Sequence, residues 1–398
     1  MSLRLIARSP DLLRLREDGY SLEVRGDVLL VHGVPYVTPD RVVALGTLVT
    51  NLELAGDATT QPANHVASFI GQHPSRVDGS PLVSAVIGGD HVVGTVQANF
   101  QLSKKPVDNN NRYRDYHHKV ETYVGLISIH AQRIDPLVTA RTYPVLTPEQ
   151  NGDLDSPFEY LDTSTTRNGL HDLTVKLKTG PIAIVGLGGT GAYILDLISK
   201  MPVEAIHLWD GDRFLQHNAF RAPDAATVDE LLKVPQKVDH FAKRYGNLRR
   251  RIVAHDAYVT GDNIDELSGM SFVFLAIDDA AARRVIVAKL EEFGVAFIDV
   301  GLGVQEVDGA LLGLVRTTLS TPKQRAHLHD NHRLPFDGAL GVNDDYRRNI
   351  QIASLNMLNA ALAVTKWLKH VGYLTDLEGE HHSVYVTSGN AIMNEDFA

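Results

Sequence analysis

The feature that most constrains the fold of this chain is a glycine-rich turn placed between an apolar run and a helical pattern. The apolar run PIAIV is followed directly by GLGGTG, and the next residues, up to LISKM, have the apolar spacing of a helix. Glycines let the backbone approach a phosphate closely, and a helix N-terminus supplies free N–H groups and the positive end of a dipole. This order of strand, turn and helix predicts a cofactor-binding turn formed by Gly186, Gly188, Gly189 and Gly191.

Strands and helices alternate along the rest of the chain. The runs AIHLWDGD, SFVFLAIDD and VAFIDVGLG predict strands, and the segments KVDHFAKRYG and DAAARRVIVAKLEEFG between them predict helices. Such alternation is typical of a mostly parallel sheet covered by helices on both faces, so we expect a Rossmann-like α/β fold. Farther on, NIQIASLNMLNAALAVTKWLKHVG predicts one long helix, with Gly372 as its expected C-cap.

The part of the chain before this α/β pattern has a different order of predicted elements, with several strands and one helix. YSLEVRGDVLLVHGVPYVT predicts strands joined by tight turns at Arg25-Gly26 and His32-Gly33. SPLVSAVIGG and HVVGTVQANFQLS predict further strands, and HHKVETYVGLISIHAQRI predicts a helix. PVLTPEQNGDLDSP lacks periodicity and is typical of a linker. We therefore expect a smaller α+β accessory domain of unknown role at residues 1–150 and the Rossmann-like domain at residues 151–398.

Charge and composition narrow the function classes. The formal net charge of -10 disfavours non-specific binding to nucleic acid, because a phosphate backbone needs a compensating basic surface. No stretch approaches the roughly 20 apolar residues that span a bilayer, and the first residues lack the apolar core of a signal peptide. We therefore expect a cytoplasmic protein with no membrane partner. The chain contains no cysteine, which excludes a thiol nucleophile and cysteine-based zinc sites, so no zinc is expected.

An acidic residue about 20 positions after such a glycine turn normally contacts a ribose hydroxyl, and Asp210 lies there. This alone fits an NAD-dependent dehydrogenase equally well. However, DGDRFLQHNAFR resembles the D-x-D-x-V-x-x-x-N-L-x-R signature of the ThiF family, the adenylyltransferases of ubiquitin activation and of thiamine and molybdopterin biosynthesis. The resemblance covers about residues 160–370. It implies that Asp210 and Asp212 belong to the nucleotide site, and that Asn218 and Arg221 reach the ATP phosphates.

Two further segments resemble elements of the same family. VPQK resembles its G-x-P-K element without the leading glycine, which implies that Lys237 contacts the triphosphate. LAIDDAAAR resembles its A-T-D-N-x-x-x-R element, which implies that Asp278 positions Mg²⁺ and the reacting carboxylate; Asp279 stands where the usual Asn would be. The resemblance thus implies Arg221, Lys237 and Asp278 as the catalytic residues and Asp278 as the metal ligand.

Some residues near these motifs have a structural alternative. Asp212 is a candidate turn or helix cap, Arg283 a candidate surface or salt-bridging residue, and Thr190 a small residue at the helix start. In homodimeric relatives an arginine near the position of Arg167 crosses to the ATP site of the partner subunit, and the resemblance extends that expectation to this chain.

The resemblance implies ATP- and Mg²⁺-dependent adenylation of the C-terminal carboxylate of a ubiquitin-like protein by a homodimer. The chain is similar to bacterial members of the family found alongside ubiquitin-like modifiers, so a conjugating-enzyme-like partner is a further expectation. A carboxylate nucleophile is already ionised, so catalysis needs positioning and charge stabilisation more than acid–base groups. The alternatives are an adenylyltransferase for a sulfur-carrier protein, a dehydrogenase, and a non-catalytic scaffold that binds nucleotide or modifier.

The lack of cysteine leaves open what accepts the activated carboxylate. The adenylate passes directly to a partner, or a partner supplies the nucleophile, or a hydroxyl of this chain forms an oxyester. A predicted loop before the long helix carries the candidate hydroxyls and candidate histidine bases: Thr317, Thr318, Ser320, Thr321, His327, His329 and His332. The same histidines are also candidates for a metal site, although their spacing is not a zinc pattern.

Overall fold

A computed structural model describes residues 2–82, 86–107, 109–149, 153–336 and 350–397. The chain forms two compact units. Unit 1 contains Met1–Asp153 and Leu161–Leu170, and unit 2 contains Leu154–Tyr160 and His171–Ala398. The roles expected for the two parts of the chain, an accessory domain and an adenylation domain, stay predictions.

Unit 1 is an antiparallel sheet with helices, as expected for an α+β unit. The strand order is β1-β2-β3-β6-β8-β7, and β4 and β5 form a separate hairpin. The strands are β1 Ser21–Arg25, β2 Val28–Val37, β3 Val43–Asn51, β4 Leu54–Ala55, β5 Ala58–Thr59, β6 Val66–Ile70, β7 Val86–Val93 and β8 Val96–Ser103. The helices are α1 Ser2–Arg8, α2 Pro10–Glu17, α3 Tyr116–Ile134 and α4 Thr163–Arg167.

Helix α3 matches the predicted helix in this unit. It begins after Asp115, whose carboxylate accepts a hydrogen bond from His118 N at 2.7 Å and so caps the first turn. One of the two expected turns is wrong, however, because His32 and Gly33 lie inside β2. The register of β2 against β3 shifts there, and Gly33 has a φ of 71°. A glycine in the left-handed region within a strand is typical of a bulge, which bends the strand without ending it.

Unit 2 contains the Rossmann-like sheet, with strand order β11-β10-β9-β12-β13-β14-β15-β16. The strands are β9 Ile182–Val185, β10 Ile206–Trp209, β11 Ile252–His255, β12 Phe272–Leu275, β13 Phe297–Val307, β14 Ala310–Ser320, β15 Glu380–Val386 and β16 Ala391–Phe397. The strands from β11 to β13 are parallel, and β14 to β16 continue the sheet in antiparallel fashion. The order therefore reverses between β9 and β12, the point at which open α/β sheets bind ligands.

Helices cover both faces of the parallel strands. The α-helices described in unit 2 are α5 His171–Thr174, α6 Gly189–Ser199, α7 Gln216–Ala219, α8 Val228–Leu232, α9 Lys237–Tyr245, α10 Ala280–Phe293, α11 Ala326–Asp330 and α12 Ala353–His370. In β9, Ile182 and Ile184 belong to the core beneath α6 and α12, whereas Ala183 and Val185 belong to the core beneath α10. This burial on both faces confirms the predicted fold class.

Near the end of the chain, one prediction made from the sequence is confirmed and another is wrong. Helix α12 is the predicted long helix, and Gly372, with a φ of 72°, follows its last turn. The expectation of a hydroxyl-bearing loop is wrong for Thr317, Thr318 and Ser320, because these residues lie in β14 and are buried. Strand β14 pairs with β13 on one side and with β15 on the other, and helix α12 packs against it.

Within the described part of the chain, no helix has the length and apolar character required to cross a bilayer.

Candidate active site

The glycine turn lies between β9 and α6, and packing explains three of its four glycines. A Cβ on Gly191 would lie 1.9 Å from the Gly186 carbonyl oxygen, and one on Gly189 would lie 1.9 Å from Asn356 Nδ2. Gly186 has a φ of 91°, and its Cβ would lie 2.5 Å from the carbonyl oxygen of Ala276. A Cβ on Gly188 would meet no atom within 4 Å. Gly188 therefore marks the open side of the turn, from which a ligand can approach the helix N-terminus.

Asp210 fastens this turn to the end of the neighbouring strand β10. One carboxylate oxygen accepts a hydrogen bond from Leu187 N at 2.7 Å, and the other accepts from Asp212 N at 2.8 Å. Asp210 is buried, so these backbone donors compensate for the lost hydration of its charge. The predicted ribose-binding acid thus also sets the geometry of the glycine turn.

Lys237 places a buried cation beside the two acids. Its Nζ lies 2.7 Å from Asp212 Oδ2 and 3.4 Å from Asp210 Oδ2, and the residue is only 4% exposed. The backbone helps to position it, since Lys237 N donates to the Asp212 carbonyl at 2.9 Å where α9 begins. Val234, which occupies the place of the family's glycine, has a φ of 46°. The backbone of Val234 is therefore in the left-handed region, which favours glycine over a β-branched residue.

Tyr258 is a neighbour of these acids that sequence reasoning missed. Its hydroxyl donates to Asp212 Oδ1, and its ring occupies the space where a Cβ on Gly211 would lie, 2.8 Å away. That hydrogen bond and the nearby carboxylates raise the pKa of Tyr258 to about 12. The pKa of Asp212 is lowered, because the hydrogen bonds from Lys237 and Tyr258 together with the charges of Lys237 and Arg221 outweigh partial burial, the largest single influence.

Asn218 lies on the short helix α7, and Arg221 lies two residues after the end of that helix. Asn218 is buried, and its Oδ1 accepts from Leu215 N at 2.8 Å, so one end of its amide caps this helix. The Nε of Arg221 is buried and has no hydrogen-bond partner among the described residues. An unpaired buried donor of this kind costs about 1–3 kcal/mol, so this guanidinium is suited to an anion that the protein itself does not supply.

Asn356, at the start of α12, links these two parts of the site and was also missed. Its Oδ1 accepts from the Thr190 hydroxyl at 3.1 Å, and its Nδ2 donates to the Arg221 carbonyl at 3.3 Å. Asn356 is almost completely buried and lies where a Cβ on Gly189 would be. It therefore holds the first turn of the glycine helix and the backbone of Arg221 at a fixed separation.

The segment after β12 completes the candidate site. Ile277 lies against Gly186, with its Cγ2 3.1 Å from the position of a Cβ there, and the next residue, Asp278, is exposed. Asp279 caps α10 by accepting from Ala281 N and Ala282 N, at 2.8 and 2.9 Å. Asn and Asp cap helices about equally well, which explains why this departure from the family pattern leaves the local fold intact.

Of the structural roles considered for Arg283, the surface residue and the salt-bridging residue, the structure supports the second. It is buried, its Nε donates to Asp299 Oδ1 at 2.9 Å, and its Nη2 donates to the Ile277 carbonyl. Through that carbonyl it fixes the backbone that presents Asp278. Arg283 thus acts on the site by holding the backbone next to Asp278 in place.

The remaining candidates lie elsewhere. Arg167 ends α4 in unit 1, where it pairs with Glu17 at 2.9 Å, and its reach toward a partner subunit stays a prediction. His327 is buried with Nε2 3.0 Å from the Leu319 carbonyl, and His329 pairs with Glu291. In the segments that the structure describes, His332 joins neither of them in a group of metal-ligand atoms.

Those segments contain one group with metal-ligand spacing, in unit 1, formed by Asp18, His117 and Glu121. Both oxygens of Glu121 are already paired with Arg141 at 3.0 Å, and His117 is paired with Asp18 at 2.7 Å. The atoms that could bind a metal are therefore already engaged in hydrogen bonds or an ion pair within unit 1.

Two family models match different parts of the chain. A domain of unknown function, DUF6791, matches residues 10–163, and the ThiF family matches residues 166–385. No curated protein sequence matches the chain.

Solved structures that resemble it include three proteins. E. coli MccB with ATP is 16% identical, with 60% of this chain and 72% of that chain covered and a TM-score of 0.43. The E. coli tRNA N6-threonylcarbamoyladenosine dehydratase TcdA with AMP is 20% identical, with 52% and 93% covered and a TM-score of 0.40. PaaA is 17% identical, with 56% and 75% covered and a TM-score of 0.41.

The ThiF match spans more than half of the chain, and it includes the glycine turn, Asp210 and Asp212 after β10, Lys237 and Asp278. The chain belongs to the ThiF family.

Proposed function

We propose that this protein is an ATP- and Mg²⁺-dependent adenylyltransferase that activates the C-terminal carboxylate of a ubiquitin-like protein. The observation that carries the proposal is the buried, unpartnered Nε of Arg221, whose backbone Asn356 ties to the first turn of the glycine helix. The charges of Arg221 and of the buried Lys237 both act on Asp212, which Asp210 links to the glycine turn. Two cations placed in this way are suited to a polyanion, and a triphosphate is the polyanion that this family uses.

Each predicted residue then has a role that its position supports. The backbone N–H groups of the glycine turn donate to phosphate oxygens on the open side at Gly188, and Asp210 holds the ribose at the end of β10. Arg221 and Lys237 neutralise the charge of the β- and γ-phosphates. In this arrangement Asp212 releases Lys237 toward the nucleotide and remains anchored by Tyr258.

The reaction needs charge stabilisation and alignment. A carboxylate oxygen of the modifier attacks the α-phosphorus, the bond from that phosphorus to the bridging oxygen breaks, and pyrophosphate leaves with the electron pair. No proton is transferred, because the nucleophile is ionised from the start. Mg²⁺, when bound, supplies further neutralisation of the phosphates. Asp278 is the exposed carboxylate at the switch point that would hold it, on a backbone fixed by Arg283.

The choice of a ubiquitin-like protein rests on the D-x-D-x-x-x-x-x-N-x-x-R signature and on membership of the ThiF family. Because the chain has no cysteine, no thioester forms on it, and its product is the acyl adenylate. A homodimer and a conjugating-enzyme-like partner belong to the same proposal.

The decisive experiment is ATP–pyrophosphate exchange with the full chain, Mg²⁺ and a ubiquitin-like protein encoded beside its gene. We expect exchange that requires the free C-terminus of the modifier and falls at least 100-fold in Asp278→Ala and Arg221→Ala. Lys233→Ala is the matched control for Lys237→Ala, because Lys233 is exposed and lies four residues before the buried lysine.

Each failure of this experiment has a distinct meaning. ATP binding without exchange would replace the proposal with a nucleotide-binding scaffold, and exchange driven by a sulfur-carrier protein would replace the substrate. Binding of NAD without ATP would point to a dehydrogenase.

A further inference from the structure

A cavity of about 290 Å³ opens on the sheet of unit 1, far along the chain from the residues of the glycine turn. It lies over β3, β6 and β8, next to the turn between β7 and β8. Its polar lining includes Asn51, Asn64, Ser68, His91 and Gln101.

Within this cavity a serine and a histidine have the geometry of a nucleophile and its base. Ser68 Oγ lies 2.8 Å from His91 Nε2, and His91 Nδ1 lies 3.0 Å from the Gly89 carbonyl oxygen. A carbonyl oxygen carries no hydrogen, so the proton of that second hydrogen bond belongs to Nδ1. In the neutral ring Nε2 is then the acceptor, and Ser68 donates to it.

The backbone aims His91 at this serine by an irregularity in β7. The register of β7 against β8 shifts between Gly88 and His91, and Gly89 has a φ of 112°, which disfavours any residue with a side chain. Bulges of this kind redirect a side chain and occur often beside active sites. Here the same irregularity supplies the carbonyl that sets the histidine's tautomer.

Two amide side chains line the same cavity as the serine hydroxyl. Gln101 lies directly opposite Ser68 in the pairing of β6 with β8, so both side chains are on one face of the sheet. Asn64 uses its Oδ1 to accept from Val66 N at 2.9 Å, which leaves its NH₂ group as a donor at the cavity. Such donors are suited to a developing oxyanion.

We propose that Ser68 is a nucleophile, activated by His91, that accepts acyl groups from activated esters. Ser68 Oγ attacks the carbonyl carbon while His91 Nε2 takes its proton, and the leaving group departs as the acyl–oxygen bond breaks and receives that proton. Water then hydrolyses the acyl-serine to the free acid, with His91 as base. This site is separate from the nucleotide site, and its test does not depend on adenylation.

The absence of cysteine allows a sharp test in the full chain. Ser68→Cys introduces a single thiol beside His91, and its alkylation by iodoacetamide at pH 7 is expected to be at least ten times faster than in Ser68→Cys/His91→Gln. Ser75→Cys is the matched control, because Ser75 is 2% exposed against 3% for Ser68, but its hydroxyl donates to a backbone carbonyl. Equal rates with and without His91 would overturn the proposal.

The unaltered protein provides a second measurement. With p-nitrophenyl acetate we expect a burst of nitrophenol and an acetyl group on the peptide that contains Ser68, identified by mass spectrometry. Ser68→Ala should abolish both, His91→Gln should slow the burst at least 30-fold, and Ser75→Ala should leave it unchanged. If acetyl appears only on other residues, or the burst survives Ser68→Ala, Ser68 is not a nucleophile.

Discussion

Val234 is a β-branched residue in a backbone conformation that favours glycine. A β-branched residue with positive φ is strained by about 1–3 kcal/mol, and Val234 has a φ of 46° two residues before Gln236, which precedes α9. The turn persists because Phe214 N donates to the Pro235 carbonyl at 2.7 Å and Lys237 N donates to the Asp212 carbonyl.

A glycine at this position should therefore stabilise the fold. We expect Val234→Gly to raise the free energy of unfolding by about 1 kcal/mol, since relief of strain exceeds the extra backbone entropy of glycine. Urea denaturation followed by circular dichroism measures the change. Val234→Ala is the control, because alanine loses the branch but keeps the unfavourable φ and should gain less. A loss of stability in the glycine variant would contradict this account.

His382 makes stability depend on pH. Burial, reinforced by the charges of Arg333 and Arg316, lowers its pKa to about 4, and its Nδ1 lies 3.0 Å from Thr318 Oγ1. The unfolded chain takes up a proton near the ordinary value of about 6.5, so it binds more protons than the folded chain between these two values. The stabilising contribution is therefore complete above about pH 6.5 and is lost as the pH falls toward 4.

We expect the unaltered protein to lose about 2 kcal/mol more than His382→Gln when the pH falls from 7 to 5, because glutamine does not titrate. Urea denaturation of both proteins at the two pH values isolates the histidine from other titrating groups. Identical pH dependence in the two proteins would contradict the lowered pKa.

At the scale of elements, the glycine turn combines residues required by packing with one that leaves room for a ligand. Gly191→Ala places a methyl group against a backbone carbonyl 1.9 Å away, which the turn cannot relieve without opening. We expect it to cost at least about 3 kcal/mol of stability, by analogy with overpacking in cores. Gly188→Ala meets no atom and should change stability by less than about 1 kcal/mol, yet weaken ATP binding at least tenfold.

Thermal denaturation and ATP titration calorimetry of the two variants separate these effects. A Gly188→Ala variant that binds ATP normally would mean that nucleotide does not approach from the open side.

Some secondary-structure elements could be predicted from the sequence, and others could not. Helices α3 and α10 were predictable because a polar cap precedes an apolar stripe in each. Strand β14 was missed, although the first part of β13 was predicted, since the buried end of β14 has no regular alternation of polar and apolar residues. Asp308-Gly309 was the available signal, because both residues have positive φ, as the turn of a two-residue hairpin requires.

For the whole molecule, each unit has its own core, and both tryptophans, Trp209 and Trp367, are buried in unit 2. Tryptophan emission should therefore report on unit 2 alone. We expect Leu48→Ala, in the core of unit 1, to lower the midpoint of unfolding seen by circular dichroism without moving the emission midpoint. Leu195→Ala, in the core of unit 2, is the converse control and should move the emission midpoint. A shift of emission by Leu48→Ala would show that the units unfold together.

The sequence alone determined the α/β class, the glycine turn and the acids and cations of the ThiF signature, because these depend on local spacing and on residue type. Only the tertiary structure decided which groups meet across long separations: Asn356 joins the glycine helix to Arg221, Tyr258 anchors Asp212, and His91 reaches Ser68. These contacts depend on sheet order, on register and on one bulge. No local pattern of residues records them, because a single residue's shift in register would turn the same side chains to the opposite face.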